Sequence, residues 1–370
     1  MFLNHFSEDH THKLVVESIK TKSIYVEQLR HKPSFTLTDL PALLSPAAQQ
    51  YLDSFAHRSQ ALTRQYFGHS IQLFAPLYLS NECYNHCSYC GFGIQHRYER
   101  KTLTDTEILR EGRYLAQRGF SHILLLTGEA PKTVGVDYIS HAIRLLKPLF
   151  SSIGVEIQPL SLHDYQQLRH AGADHLTLYQ ETYHLDTYKK HHLSGFKRDY
   201  SKRLIALEDG AKAGFHSINI GALLGLYDWR FEGLSLAQHL NYLMKKYWKT
   251  HYLLSFPRIT KMVGSFSVPY VCSDADLCQL IFSFRLLFPD CGITLSTREP
   301  ASLRDGLLPL GISMMSAESS TSPGGYTGNK SNAQFDTHDQ RSIHDISTLI
   351  LNCGLDPMLK NWDRSISPAL

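Results

Sequence analysis

No stretch of this 370-residue sequence approaches the ~18 consecutive apolar residues of a membrane span, and the opening "MFLNHFSEDHTHK" lacks the basic-then-apolar order of a secretory signal. The expectation is a cytoplasmic protein without membrane attachment. An excess of one charge is missing too. Lys and Arg number 37 against 34 Asp and Glu, a formal net charge of +3, and the basic residues are spread along the chain. Nucleic acid and anionic lipid are therefore not expected partners. No motif recurs at a fixed period, which argues against solenoids and propellers. Cysteine is scarce and odd in number: seven, three of them between positions 83 and 90. That is a poor disulfide framework and a good metal site in a reducing compartment. Cys272, Cys278, Cys291 and Cys353 are scattered and read as small buried hydrophobes.

What is present is a rhythm. The composition, 43% apolar and 19% charged, is that of an ordinary globular chain. Eight β-rich runs alternate with helix-like stretches: 73–80, 122–129, 154–160, 175–181, 217–225, 252–257, 292–299 and 311–317. The intervening "DTEILREGRYLAQRGF" and "DYSKRLIALEDGAKAGF" are amphipathic and reach a glycine where a helix C-terminus favours one. Regular β-then-α order implies parallel strands with right-handed crossovers, and eight units predict a closed (β/α)8 TIM-type barrel of the α/β class. The expected division is an N-terminal helical extension (1–72), the barrel (73–317) and a C-terminal loop plus helix (318–370). The polar stretch 316–340 is long for a structureless loop in a compact domain, which points to a role such as covering a site.

Barrel chemistry sits at the C-terminal ends of the strands, and each run here ends in polar or glycine-bearing sequence. Strand ends meet solvent and are often polar for that reason alone. The reading is stronger for Glu156, Gln158, Gln180 and Arg298, which stand inside or just after apolar runs, because buried charge requires partners.

The most specific signal is "CYNHCSYCGF" at 83–92, with Cys83, Cys87 and Cys90 spaced C-x3-C-x2-C just after the first run. Three thiolates on a cubane iron–sulfur cluster leave one iron free to take another ligand. The competing reading is a Cys3His zinc site completed by His86 or His96; His86 adjoins Cys87, and no second C-x2-C is present. The spacing, its position after a first strand and Tyr89 before the last cysteine resemble the radical S-adenosylmethionine superfamily. The resemblance implies a [4Fe-4S] cluster that binds S-adenosyl-L-methionine on its open iron, with Tyr89 near the adenine. It also implies that Gly128 and Glu129 in "TGE" meet the cosubstrate's amino group, and that Gln180 and Glu181 in "YQE" face its ribose. Arg203 would meet its carboxylate, and the backbone of Ala222 and Leu223 in "GALLGL" would edge the adenine. As plain structure, the same residues would be a helix-capping carboxylate, a buried hydrogen-bonded pair, an exposed helix arginine and a packing segment.

Within that superfamily, "PLYLSNECYNHCSYCGF", "LLLTGE", "YQETYH", "SFPR", "LSTRE", "SPGGY" and "DPMLKNWD" resemble the 2-iminoacetate synthases, the tyrosine lyases of bacterial thiamine biosynthesis. The resemblance runs over roughly residues 70 to 363. It implies Cα–Cβ cleavage of L-tyrosine to 4-cresol and 2-iminoacetate by a 5′-deoxyadenosyl radical. It further implies a flavodoxin-type electron donor and a thiazole synthase that consumes the product. Arg298 is the candidate clamp for the substrate carboxylate, since guanidinium and carboxylate pair bidentately, with Ser296 and Ser316 adding hydrogen bonds. The alternative for Arg298 is an ion pair with Glu299. The hydrogenase-maturation relatives carry a further C-terminal cysteine motif, whereas only Cys353 follows Cys291 here. A tryptophan lyase and a non-catalytic zinc-stabilised barrel remain as alternatives.

Overall fold

A computed structural model describes residues 1–259, 266–328 and 331–359; residues 360–363 of "DPMLKNWD" lie outside the described residues. All eight predicted runs contain strands: β1 (Ser70–Ser80), β2 (His122–Thr127), β3 (Ser152–Glu156), β4 (His175–Glu181), β5 (Ser217–Ala222), β6 (His251–Ser255), β7 (Gly292–Leu295) and β8 (Met314–Ser316). Each is parallel to the one before it. β8 returns to β1 through the pairs Gln72↔Met314 to Phe74↔Ser316, so the sheet closes into a (β/α)8 barrel. A further short strand, Asp356–Met358, pairs with the lower end of β1.

Alternation along β2 shows why the runs read as continuously apolar. Ile123 and Leu125 are buried in the main core, while Leu124 and Leu126 face the barrel interior with Phe74 and Tyr78 of β1. With both faces buried, the strand has no polar side to betray its period. The helices carry their own signals. Asp105–Gln117 opens on a capping box between Thr104 and Glu107, and Gly119 and Gly214 behind the two predicted helices adopt φ of 95° and 82°, the left-handed turn-off that favours glycine.

Ahead of the barrel, Glu8–Lys20, Ser23–Leu29 and Leu52–Phe67 are helical. After β8, residues 317–342 hold no helix or strand among the described residues, and the last helix is Ile343–Asn352. This long loop is tied to the C-terminal mouth of the barrel. Tyr326 Oη donates to the Pro76 carbonyl at 2.6 Å, and Tyr78 Oη donates to Gln334 at 2.8 Å. His338 N donates to the Thr297 carbonyl at 2.9 Å. Its far end is held by Asp339, buried in an ion pair with Arg304 and joined by Arg341 at 2.6 Å. Among the described residues, no helix is long and apolar enough to cross a membrane.

Candidate active site

The cysteine loop leaves β1 and is braced from three sides. Arg100 donates from Nη1 to the carbonyls of Asn81 and Phe92, both at 2.7 Å, and from Nη2 to that of Gly93 at 2.8 Å. Gln95 Nε2 donates to the Cys87 carbonyl at 2.9 Å. His86–Cys87 pairs antiparallel with His192–Ser194. The loop also lies directly on the end of β2, where a Cβ on Gly128 would stand 2.1 Å from the Glu82 carbonyl oxygen and 2.9 Å from Cys83 Cβ. Only glycine permits that approach.

Cys83 and Cys87 are buried and Cys90 is partly open. Burial holds the Cys83 thiol up at about 11 and the Cys87 thiol well above its usual value, so these two become thiolates only when iron or a similar cation replaces the proton. A single zinc ion would draw its sulfurs to about 3.8 Å apart, from tetrahedral Zn–S bonds of about 2.3 Å. Among the described residues, the one set of three His, Cys, Asp or Glu ligand atoms lying within 4.8 Å of one another is Glu8, His12 and His184. The three sulfurs are therefore spread more widely than a lone ion draws its ligands, and neither His86 nor His96 converges with them. Three soft donors on one loop, set wider than a lone ion draws its ligands, suit a multi-iron cluster. In the Glu8 group, Thr187 N donates to His184 Nδ1 at 3.3 Å. His184 Nε2 faces Glu8 at 4.0 Å.

Beside the loop lies a chain of alternating charges. Glu129 accepts from Asn85 Nδ2 and from Arg203 Nη1, both at 2.8 Å. Arg203 also donates from Nη2 to Glu181 at 3.2 Å and from Nε to the Tyr179 carbonyl at 2.7 Å. Glu181 takes a further bond from Lys197 Nζ at 2.6 Å. Burial alone would raise the Glu181 carboxyl, but Lys197 and Arg203 hold it down at about 2. Arg203 is thus a buried keystone and no exposed helix arginine; three of its five N–H donors are engaged within the protein. Glu181 itself has φ of 72°, next to the bulge in β4 that re-aims its side chain.

Two cavities meet here. One is walled by Tyr89, Cys90, Glu181, Lys197, Leu223 and Gln334. The other fills the barrel interior with Phe74, Leu124, Leu126, Leu295, Ser296 and Ser316. Glu156, Tyr179, Pro257, Arg298 and Phe335 line both, so the two spaces share a wall of residues at their junction. Arg298 is not paired with Glu299, whose carboxylate is taken by Arg258 through Nε at 3.1 Å. Its guanidinium lies 3.4 Å from the centre of the Phe335 ring. Ser316 Oγ accepts from Thr297 N at 3.1 Å and Ser296 Oγ from Arg298 N at 3.4 Å, so both serines shape the turn that carries Arg298. The 317–342 loop supplies Gln334 and Phe335 to this wall, with Gln334 Nε2 3.9 Å from Cys90 Sγ.

Most of the sequence-derived residues therefore converge. Tyr89 is buried, its Oη 2.7 Å from His192 Nε2, and packs with Cys87 and Leu223. Ala222 pairs with Glu181 in the sheet. Gln180 does not join them: it sits in the β4 bulge, lines neither cavity, and both its amide atoms are buried without a hydrogen-bond partner. Lys197, Asn85 and Arg100 escaped sequence reasoning. They lie in loops or, for Lys197, in a single 3-10 turn (Phe196–Arg198), without periodicity, and only the cross-chain contacts reveal them.

Comparison with known proteins agrees with this geometry. Residues 77–235 match the radical SAM superfamily, and residues 255–356 match the biotin and thiamin synthesis associated domain. The chain is 42% identical over 346 residues to the 2-iminoacetate synthase of Escherichia coli (strain K12), covering 93% of this chain and 92% of that protein. The 2-iminoacetate synthase of Salmonella typhimurium matches at the same identity and coverage. The structure superposes with a TM-score of 0.87 on the FeFe-hydrogenase maturase HydG from Carboxydothermus hydrogenoformans, at 33% identity over 95% of this chain and 83% of that one. With the three-cysteine loop seated on a closed barrel, these matches establish that the chain belongs to the 2-iminoacetate synthase family of the radical SAM superfamily.

Proposed function

We propose that this protein is a radical SAM carbon–carbon lyase that cleaves the Cα–Cβ bond of L-tyrosine, giving 2-iminoacetate and 4-cresol for the thiazole of thiamine. The observation that carries this reading is the adjoining pair of cavities, one beside the cysteine loop and one in the apolar barrel interior, with Arg298 on the wall common to both. Cys83, Cys87 and Cys90 would hold a [4Fe-4S] cluster. Tyr89, Leu223 and the Ala222 backbone would flank the adenine of S-adenosyl-L-methionine. Gly128, Glu129, Glu181 and the free donors of Arg203 would meet its polar groups, with Lys197 added to that set. When bound, the cluster and cosubstrate together supply a 5′-deoxyadenosyl radical that removes one hydrogen atom from the substrate.

The residues of the chain do the rest. Arg298 clamps the substrate carboxylate, and Ser296 and Ser316 fix the turn that aims it. Phe74, Leu124, Leu126 and Leu295 enclose the phenol ring, and Gln334 and Phe335 keep water from the junction. In this reading residues 1–72 form an extension, 73–317 the catalytic barrel and the described part of 318–342 the cover of its mouth, whereas Asp356–Met358 pairs at the opposite end of β1. A flavodoxin-type donor would deliver the electron and a thiazole synthase would take the labile imine. A cytoplasmic setting suits the seven free thiols. The test is anaerobic incubation of the reconstituted protein with tyrosine, S-adenosylmethionine and dithionite. We expect 4-cresol with glyoxylate and ammonia, and neither carbon monoxide nor cyanide. Products derived from tryptophan instead would overturn the substrate assignment.

A further inference from the structure

Nearly every buried charge at the barrel mouth is matched within the protein: Glu129 and Glu181 by Arg203 and Lys197, Glu299 by Arg258, and Asp339 by Arg304. Two partly buried charges beside them are not. Among the described residues, neither Glu156 nor the Arg298 guanidinium makes a side-chain hydrogen bond or ion pair; Arg298 lies over the Phe335 ring and attracts Glu156 only at longer range. Both line the wall that the two cavities share. A carboxylate and a guanidinium left open together, beside buried charges of the barrel mouth that are paired, match the two charges of an amino acid zwitterion.

The position of the pair sets the orientation. If the aromatic side chain occupies the apolar interior, the α-carbon of the substrate lies at the junction, between Arg298 and Glu156. Glu156 stands at the end of β3 and belongs to the interior face of the barrel, whereas Ser296 and Ser316 are held within the turn beside Arg298. Among the described residues, the only other carboxylate on the cysteine-side cavity is Glu181, which is already bound to Lys197 and Arg203.

We propose that Glu156 is the amino-group site of this cavity: its carboxylate binds the α-ammonium of the substrate while Arg298 binds the α-carboxylate, and it accepts the one proton that leaves to give the neutral amine. The step is balanced, since ammonium and carboxylate become amine and carboxylic acid and no electrons move. It rests on the tyrosine-lyase reading, in which the hydrogen atom is taken from the substrate nitrogen. Burial pushes the Glu156 carboxyl up to about 7, against the pull of Arg298, so a neutral acid is accessible in the enclosed site.

The experiment is calorimetric binding to the anaerobic holoprotein of L-tyrosine, of 3-(4-hydroxyphenyl)propanoate, which lacks the amine, and of tyramine, which lacks the carboxylate. Glu156→Gln should weaken tyrosine and tyramine by about tenfold or more, as for loss of a charged hydrogen bond, and leave the propanoate within about twofold. Arg298→Lys should weaken tyrosine and the propanoate and spare tyramine. Glu156→Asp should restore part of the tyrosine affinity. Equal weakening of all three ligands by Glu156→Gln, or of none, would overturn the assignment. If the wild type prefers tryptophan, the substrate reading fails, and the same crossed pattern with tryptophan and its deamino analogue still decides the role of Glu156. A wild type that binds no α-amino acid refutes both.

Discussion

An unpaired carboxylate enclosed in a barrel should be visible in stability as well as in binding, and Glu156→Gln isolates the effect because it keeps the shape and removes the charge. Glu156 retains some accessible surface toward the cavity, yet lies deep enough that desolvation raises its carboxyl from the ordinary 4.5 to about 7. Arg298, Lys197 and Arg203 pull it down and Glu181 pushes it up. The neighbouring Tyr78 and Tyr179 phenols are driven far above their usual range and stay neutral. Because the folded value lies above the unfolded one, the folded state holds the proton longer as pH rises. Stability is therefore full below about 4.5, falls between about 4.5 and 7, and stays reduced above that. The whole window is worth up to about 3 kcal/mol, less whatever solvation cavity water returns. The part between pH 5.5 and 7 is about 2 kcal/mol. Anaerobic urea titrations of wild type and Glu156→Gln at pH 5.5 and 8.5 measure it directly. The variant's stability relative to wild type should rise by about 2 kcal/mol from the lower pH to the higher. A pH-independent difference, or one that grows toward acid, would refute the idea that this carboxylate is buried without a partner.

Three further outcomes test the rest of the site. Cys87→Ala should abolish the brown colour of the reconstituted protein and its 5′-deoxyadenosine formation, while Cys353→Ala, at a partly buried thiol packed against the main core, should retain both. Gly128→Ala brings a methyl group to 2.1 Å from the Glu82 carbonyl oxygen, so the cysteine loop must shift; iron content should fall while the far-UV circular dichroism of the barrel is kept. Arg203→Ala leaves Glu129 and Glu181 buried side by side without their common cation, and urea unfolding should show a loss of about 3–5 kcal/mol, as for other broken buried pairs.

The barrel was legible because parallel strands buried on both faces announce themselves as short apolar runs whatever their neighbours are. The cysteines were legible because metal ligands on one loop must keep a fixed spacing. Arg203 was half legible: its position in the sequence matched a cosubstrate contact, but a helix arginine looks exposed until the helix is docked, and here the carboxylates of Glu129, in the loop after β2, and Glu181, at the end of β4, close over it. Lys197 and Asn85 left no signal. Their partners lie 16 and 44 residues away, and a loop residue carries no period by which to predict its direction. Gln180 carries the same sequence signal as Glu181, but the bulge that turns Glu181 toward its cations leaves Gln180 outside both cavities.

Glu156 shows where sequence reasoning and structure meet. A glutamate inside an apolar run calls for a counter-charge, and the expectation is a partner within the protein. The fold provides cations within reach, yet Lys197 and Arg203 are committed to Glu181 and Glu129, and Arg298 is turned onto the Phe335 ring. A carboxylate so placed is destabilising in the empty protein and is matched only when something positive enters the cavity. Arg298 likewise makes no ion pair, and its guanidinium rests on the Phe335 ring. A zwitterion satisfies both at once, and neither an amine nor an acid alone does. On the proposal made above, selectivity for an α-amino acid over its fragments follows from the barrel mouth, where Lys197, Arg203, Arg258 and Arg304 are held by carboxylates of the protein and one charge of each sign stays open at the junction.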